Sequence, residues 1–121
     1  MLKEKILIVE DDVEFCDLLA EALREEGFVV AQTNDPIKGK ALLEKGSFAA
    51  VLLDYKMPGL NGTELVKKIK SEGRSMKVFI ISGRPFIDKI LETEGLTELV
   101  TAVIPKPVDF DLLLKKLRNM K

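Results

Sequence analysis

Five short apolar runs recur along the chain, separated by longer segments in which apolar residues return every three or four positions. The runs cover residues 5–9, 28–33, 49–53, 77–82 and 102–105. They are rich in Val and Ile and show no polar alternation, which is typical of strands buried on both faces of a parallel sheet. The pattern therefore predicts five strands that alternate with helices.

The segments between the strands predict five helices whose ends carry capping residues and glycines. They cover residues 13–26, 36–45, 62–72, 86–94, and 110 onward to the C-terminus. The predicted caps are Asp12, Asp35, Asn61 and Asp109, and the closing glycines are Gly27, Gly46, Gly73 and Gly95. The predicted core faces comprise Phe15, Leu18, Leu19, Ala22 and Leu23, then Leu42 and Leu43, then Leu65, Val66 and Ile69, and finally Phe110, Leu113, Leu114 and Leu117.

Strands that alternate with helices indicate an α/β fold, with a doubly wound five-stranded parallel sheet and five helices on its two faces. Right-handed crossover connections leave few arrangements of such a sheet. The sequence shows no linker, repeat or low-complexity stretch. We therefore expect a single domain over residues 1–121.

Composition narrows the function classes. Of 121 residues, 19 are Lys or Arg and 20 are Asp or Glu, so no basic excess favours direct binding to nucleic acid or a membrane surface. No apolar run approaches the ~20 residues that a membrane helix needs, and charged residues near the start argue against a signal peptide. One cysteine, Cys16, and no histidine exclude an internal disulfide and catalysis by histidine. We expect a cytoplasmic protein whose chemistry comes from Asp, Glu, Lys, Arg, Ser and Thr.

Polar residues follow four of the predicted strands. They are Glu10 and Asp11 after the first, Asp54 after the third, Ser82 after the fourth and Lys106 after the fifth. In an open parallel sheet, ligands bind at the carboxyl ends of the strands. Clustered carboxylates need a cation, and all-oxygen ligands favour Mg2+. With an ammonium and a hydroxyl opposite the acids, the set suits a phosphoryl group on Asp54, although Asp is also common as a simple turn residue.

Four motifs together resemble the receiver domain of two-component response regulators. They are ILIVEDD at residues 6–12, LLDxxMPGxNG at residues 52–62, ISG at residues 81–83 and KP at residues 106–107. Each is weak alone, but they lie in the right order and cover essentially the whole chain. The resemblance implies a flavodoxin-like, CheY-like sheet with strand order 2-1-3-4-5.

The resemblance also implies roles for individual residues. Asp54 would accept the phosphoryl group, and Ser82 and Lys106 would contact it. Asp11 would bind Mg2+ directly and Glu10 directly or through water, with Asp54 and the backbone carbonyl of Lys56 completing the protein ligands. The Lys106–Pro107 peptide bond is expected in cis. The phosphoryl group would come from a sensor histidine kinase or a phosphotransfer protein. It would then switch the surface of the fourth and fifth strands and helices, which controls an output partner or domain.

Two positions beside the site are candidates for tuning it, and two other features depart from the usual pattern. Lys56 and Arg84 lie two residues after the phosphoacceptor and the hydroxyl residue, where relatives flank the phosphoryl group, and we hypothesise that they tune phosphate lifetime. Val103 replaces the Tyr or Phe that relatives often place three residues before the lysine, so an aromatic switch there is in doubt. Residues 95–101 also lack the usual pattern before the last strand, which makes the fourth helix atypical.

Other function classes remain open at this stage. A phosphatase or phosphotransferase of the haloacid-dehalogenase kind also uses an aspartyl nucleophile after a strand, but its second Asp is replaced here by Lys56. A nucleotide-binding module is disfavoured because neither GxGxxG nor a Walker-type glycine loop is present. A docking module that works without phosphorylation is disfavoured by the complete acceptor set. We expect a phosphoacceptor with self-phosphorylation and self-dephosphorylation chemistry, not a classical enzyme.

Overall fold

The computed structural model describes residues 5–57, 60–71 and 76–119. In those ranges it has five sheet strands: β1 (Lys5–Val9), β2 (Val29–Thr33), β3 (Ala50–Asp54), β4 (Lys77–Ser82) and β5 (Ala102–Pro105). The same ranges hold five helices: α1 (Val13–Glu25), α2 (Pro36–Lys45), α3 (Gly62–Ser71), α4 (Ile87–Thr93) and α5 (Phe110–Arg118). Lys56–Met57 and Leu60–Asn61 also pair as a very short antiparallel ribbon between β3 and α3.

The five strands form one parallel sheet in the order β2-β1-β3-β4-β5. This confirms the predicted fold and strand order. The chain leaves β1 toward β2 on one side and later returns to place β3 on the other side. The crevice of such a sheet opens at that switch point, beyond the carboxyl ends of β1 and β3.

Alternate residues of each strand face two separate hydrophobic cores. One core joins the strand residues Leu7, Val9, Val51, Leu53, Val78 and Ile80 to α2, α3 and α4. The other joins Ile6, Ile8, Ala50, Leu52, Phe79, Ile81 and Ile104 to α1 and α5. Because successive side chains point to opposite faces of a strand, a sheet covered on both faces needs unbroken apolar runs. That requirement explains the strand pattern of the sequence.

Aspartates cap three of the helices, as the sequence predicts. The carboxylates of Asp12, Asp35 and Asp109 accept backbone N–H bonds at the starts of α1, α2 and α5. Gly27 and Gly95 have positive φ angles of 95° and 73°, the left-handed conformation expected after a helix. The side chain of the predicted cap Asn61 is not among those that the structure describes. The closing Gly73 lies outside the described residues.

Two leucines predicted to face the core instead face solvent. Leu18 is 67% exposed and Leu42 is 36% exposed. The buried stripe of α1 is Cys16, Leu19, Ala20 and Leu23, a spacing of three and four residues that leaves Leu18 off the stripe. In α2 the buried positions are Pro36, Gly39 and Leu43, because the backbone at Gly39 packs directly against Val9. The predicted core of α3 and α5 is otherwise confirmed.

Helix α4 differs from the other helices of the described chain. It is one residue shorter at each end than the sequence predicts. It begins after Phe86, which has a φ of 59° and makes no side-chain capping bond. A phenylalanine in the left-handed region is uncommon and costs conformational energy.

Among the described helices, none is long and apolar enough to cross a membrane.

Candidate functional site

Three carboxylates meet at the carboxyl edge of the sheet. Glu10 and Asp11 directly follow β1, and Asp54 is the last residue of β3. The register of the neighbouring strands pairs Val9 with Leu53, so the residues that follow each strand lie side by side. One carboxylate oxygen from each of the three acids lies within 4.8 Å of the others. Glu10 and Asp54 are buried and Asp11 is exposed, so the cluster opens to solvent on one side.

Glu10 is fully buried, and both of its carboxylate oxygens are bonded. Oε2 accepts the backbone N–H of Asp12 at 3.1 Å, and Oε1 accepts the Lys106 ammonium at 2.9 Å. The backbone around Glu10 is also held, because its carbonyl accepts the Asn34 amide at 2.9 Å. These bonds offset the cost of burying a charged group. They fix one wall of the site.

Lys106 places its ammonium among the acids. Its backbone N–H donates to the Ser82 carbonyl at 2.9 Å, which continues the pairing of β5 with β4. Its Nζ lies 3.6 Å from Oδ2 of Asp54 and 5.1 Å from the centroid of the Phe15 ring. Burial lowers the pKa of Lys106, but the hydrogen bond to Glu10 and the charge of Asp54 outweigh it and hold the pKa above its ordinary value. Lys106 is therefore a cation at neutral pH, and its side chain stays 33% exposed.

Ser82 ends β4 one residue beyond Ile81, the partner of Asp54 in the sheet. The Ser82 side chain is buried, and its Oγ accepts the backbone N–H of Arg84 at 3.0 Å. The Arg84 guanidinium carbon lies 5.8 Å from the centroid of the Tyr55 ring, within range of a cation–π contact. Ser82 and Arg84 are thus linked to each other, and Arg84 reaches the residue that follows Asp54.

Tyr55 connects this edge of the sheet to α4. Its backbone N–H donates to the Ile81 carbonyl at 3.2 Å, which holds it beside β4. Its half-buried ring packs against the core on the α2, α3 and α4 side of the sheet. Its hydroxyl donates to Oε2 of Glu94, the C-cap residue directly after α4.

The remaining predicted positions are placed as follows. The backbone of Lys56 belongs to the short ribbon after β3, whereas its side chain lies outside the described part of the structure. Val103 is half-buried and packs against the same core as Tyr55. The Lys106–Pro107 peptide bond is cis, as expected.

The donor set of the acidic cluster fits a hard divalent cation. Three carboxylates offer only oxygen ligands, and the exposed side of Asp11 leaves room for water, a combination that suits Mg2+. Cys16 belongs to no such set. It is buried in α1, and burial raises the pKa of its thiol, so the side chain is a neutral part of the core.

Sequence reasoning missed several contacts of the site. It gave Asn34 no role in the site, but the Asn34 amide holds the Glu10 carbonyl across two strands. It assigned Phe15 to the core alone, yet the ring also lies beside the Lys106 ammonium. It gave Tyr55 no role. A polar-tipped aromatic directly after a candidate nucleophile was the one available signal for Tyr55.

Comparison with known proteins gives the same assignment along nearly the whole chain. Residues 6–118 match the family model described as "Response regulator receiver domain". Sporulation initiation phosphotransferase F of Bacillus subtilis is 33% identical over 111 residues, covering 92% of this chain and 88% of that protein. The crystal structure of a CheY-like response regulator receiver domain protein from Methanospirillum hungatei JF-1 is 31% identical. It superposes with a TM-score of 0.86 and covers 97% of this chain and 92% of that one.

Longer regulators also match. The probable transcriptional regulatory protein SilR of Salmonella typhimurium is 31% identical over 116 residues, which are 96% of this chain and 50% of that protein. The chain thus spans about half the length of that curated relative. Receiver domains of response regulators are signalling modules. On the match over residues 6–118, the chain belongs to the response regulator receiver domain family.

Proposed function

We propose that the chain is a phosphorylation switch in which Asp54 accepts a phosphoryl group from the phosphohistidine of a sensor histidine kinase or a phosphotransfer protein. The observation that carries this proposal is the convergence of Glu10, Asp11 and Asp54 with Lys106 at the switch point of the sheet. Membership of the receiver family supports it. The switch would act in the cytoplasm.

The acids would hold Mg2+ together. Asp11 and Asp54 would bind it directly, Glu10 directly or through water, and the backbone carbonyl of Lys56 would complete the protein ligands. When bound there, Mg2+ supplies positive charge beside the oxygens of the phosphoryl group and of Asp54. Asp54 attacks phosphorus with one carboxylate oxygen as the P–N bond to the donor histidine breaks, and the electron pair of that bond returns to the imidazole.

Lys106 and Ser82 would change partners after the transfer. The Lys106 ammonium leaves Glu10 for a phosphoryl oxygen, and the Ser82 hydroxyl donates to another. A shift of the whole population from 1:99 to 99:1 needs about 5.5 kcal/mol. Hydrogen bonds to charged groups contribute roughly 1.5–3 kcal/mol each, so two of them reach that value only at the upper end. We therefore expect measurable output before phosphorylation and a partial shift after it.

Arg84 and Lys56 would set how long the phosphoryl group persists. Arg84 is exposed and already rests beside Tyr55, so its guanidinium can hold a phosphoryl oxygen or block attacking water. We expect Arg84→Ala and Lys56→Ala to change the dephosphorylation rate. Unchanged decay of the modified protein in both variants would remove this part of the proposal.

The experiment is incubation with acetyl phosphate and Mg2+, followed by intact-mass measurement. Wild type should gain the mass of one phosphoryl group, Asp54→Asn should gain none, and the exposed helix acid variant Asp88→Asn should behave as wild type. Omission of Mg2+ should abolish the gain. Retention of the added mass in Asp54→Asn, or no gain in wild type, would contradict the assignment.

The same experiment separates the other function classes. A phosphatase of the haloacid-dehalogenase kind would consume acetyl phosphate continuously with little retained mass. A docking module that works without phosphorylation would show neither turnover nor retained mass. We propose slow turnover with retained mass, which is the behaviour of a switch and not of a classical enzyme. Output would pass through the surface of β4, α4, β5 and α5 to a partner or a further domain, and this domain itself would bind neither nucleic acid nor membrane.

A further inference from the structure

Helix α4 is held to the sheet by few interactions of its own. Within its fully described seven residues, Leu91 is the one buried side chain. Its first turn has no side-chain cap, and the residue before it, Phe86, sits in the left-handed region. A helix this short gains little from its own hydrogen bonds and depends on tertiary contacts. Any contact at its ends therefore has a large effect on whether it stays docked.

The Tyr55 hydroxyl supplies such a contact at the C-terminal end of α4. Glu94 is the C-cap residue directly after α4, and its backbone N–H donates to the Ile90 carbonyl at 3.0 Å. Its carboxylate accepts the bond from Tyr55 at this end of the helix. Tyr55 and Glu94 are 39 residues apart in the sequence, so this bond joins the end of β3 to the end of α4. Tyr55 directly follows Asp54, so the bond begins next to the acceptor residue.

Arg84 links the bond between Tyr55 and Glu94 to the state of the acceptor site. Its backbone N–H is bonded to the Ser82 hydroxyl, and its guanidinium lies beside the Tyr55 ring. In the proposed function the Ser82 hydroxyl turns to donate to the phosphoryl group, and the oxygen that accepts the Arg84 N–H moves with it. A dianionic group next to Tyr55 also attracts the guanidinium away from the ring, since a phosphoryl oxygen is a far stronger partner than an aromatic face.

We propose that Tyr55 is the aromatic residue that couples the state of Asp54 to the docking of α4: the contacts of its hydroxyl with Glu94 and of its ring with Arg84 hold the helix before phosphorylation, and the phosphoryl group loosens them. This inference rests on the proposed function. It also explains how the switch can work with Val103 at the usual aromatic position, because Tyr55 supplies the aromatic ring and the hydroxyl that Val103 lacks. Tyr55 is thus a positioning residue for the signal and takes no part in the chemistry.

Amide hydrogen exchange over α4 tests the role of the bond between Tyr55 and Glu94 in the unphosphorylated protein. Tyr55→Phe removes only the hydroxyl, and we expect the α4 amides to exchange about five- to tenfold faster, with the rest of the sheet unchanged. Glu94→Ala should match it, Glu94→Gln should recover part of the protection because its amide oxygen still accepts, and the exposed neighbour variant Glu92→Gln should match wild type. Equal α4 exchange in wild type, Tyr55→Phe and Glu94→Ala would overturn the proposal, and each of the two variants tests it if the other fails to fold.

Tyrosine fluorescence then tests the response to phosphorylation. The chain has one Tyr and no Trp, so its emission reports on Tyr55 alone. After Mg2+ is added, acetyl phosphate should raise the emission as the hydroxyl leaves the quenching carboxylate. Glu94→Ala should start high and change little. Phosphoryl uptake on Asp54 with no change in wild-type emission would overturn the coupling and leave the proposed function standing. No uptake would overturn both.

Discussion

Helices α5 and α4 are both short, yet they are attached to the sheet in opposite ways. Helix α5 is capped by Asp109 and buries Leu113 and Leu117 against the sheet. Helix α4 begins after an uncapped, left-handed Phe86 that is 81% exposed, and Leu91 is its one buried residue among those described. Local capping and apolar contacts thus stabilise α5 on the sheet strongly and α4 only weakly.

This difference separates the part of the molecule that builds the site from the part that can respond to it. Helix α5 packs into the core that also holds α1, beside the strands that carry Glu10 and Lys106. Helix α4 lies on the other face and is joined to the site through Tyr55. A rigid frame keeps the acids and the lysine in place, while a helix of low local stability can move at small cost in free energy.

Each of the two helices has a buried leucine whose truncation measures how firmly that helix is held. Leu113→Ala in α5 should lower the free energy of unfolding by about 3 kcal/mol, because the capped helix cannot shift to fill the cavity. Leu91→Ala in α4 should cost about half as much, since a weakly held helix relaxes toward the sheet. Urea denaturation of both variants measures the difference. A larger loss for Leu91→Ala would show that α4 is held to the sheet more firmly than α5.

The two helix starts should respond to substitution with opposite signs. Asp109→Ala removes the cap of α5 and should cost about 1 kcal/mol of stability. Phe86→Asn should instead stabilise the protein by about 0.5–1 kcal/mol, because Asn tolerates the left-handed conformation and little burial is lost. Thermal denaturation of the two variants is the measurement. Destabilisation by Phe86→Asn would show that the exposed ring contributes more than its strain costs.

An exposed ion pair of α5 should contribute little to stability. Arg118 of α5 pairs with Glu26 beyond α1 at 2.8 Å, and both side chains are substantially exposed. Exposed ion pairs contribute little, so Arg118→Gln should change the free energy of unfolding by less than about 0.5 kcal/mol. Chemical denaturation at low and high salt checks this. A loss above 1 kcal/mol would mean that the pair, and not the buried leucines, anchors α5.

Much of the sheet and of the capped helices was predictable from the sequence, because short-range patterns determine them. Asp12, Asp35 and Asp109 cap helices within three residues of themselves. The unbroken apolar strands predicted a sheet covered on both faces, and the residues after those strands predicted which polar groups meet at its edge. The errors at Leu18 and Leu42 arose where two adjacent leucines could each have faced the core, and packing decided between them.

The connection to α4 was not predictable from the sequence. The bond between Tyr55 and Glu94 depends on how the end of β3 and the end of α4 are placed relative to each other. The bond of Asn34 to the Glu10 carbonyl likewise depends on the neighbouring positions of β1 and β2. Local patterns specify the period and the ends of an element, whereas contacts of this kind follow only from the assembled sheet.

The proposed function requires that Asp54 carries the phosphoryl group. Borohydride reduction of the acetyl phosphate-treated protein tests it most directly, because it converts an aspartyl phosphate to homoserine, which peptide mass mapping then locates. We predict homoserine at residue 54 and unmodified Glu10 and Asp11 in the same digest. Homoserine at another aspartate, or an unreduced phosphate on a serine or threonine, would contradict the account.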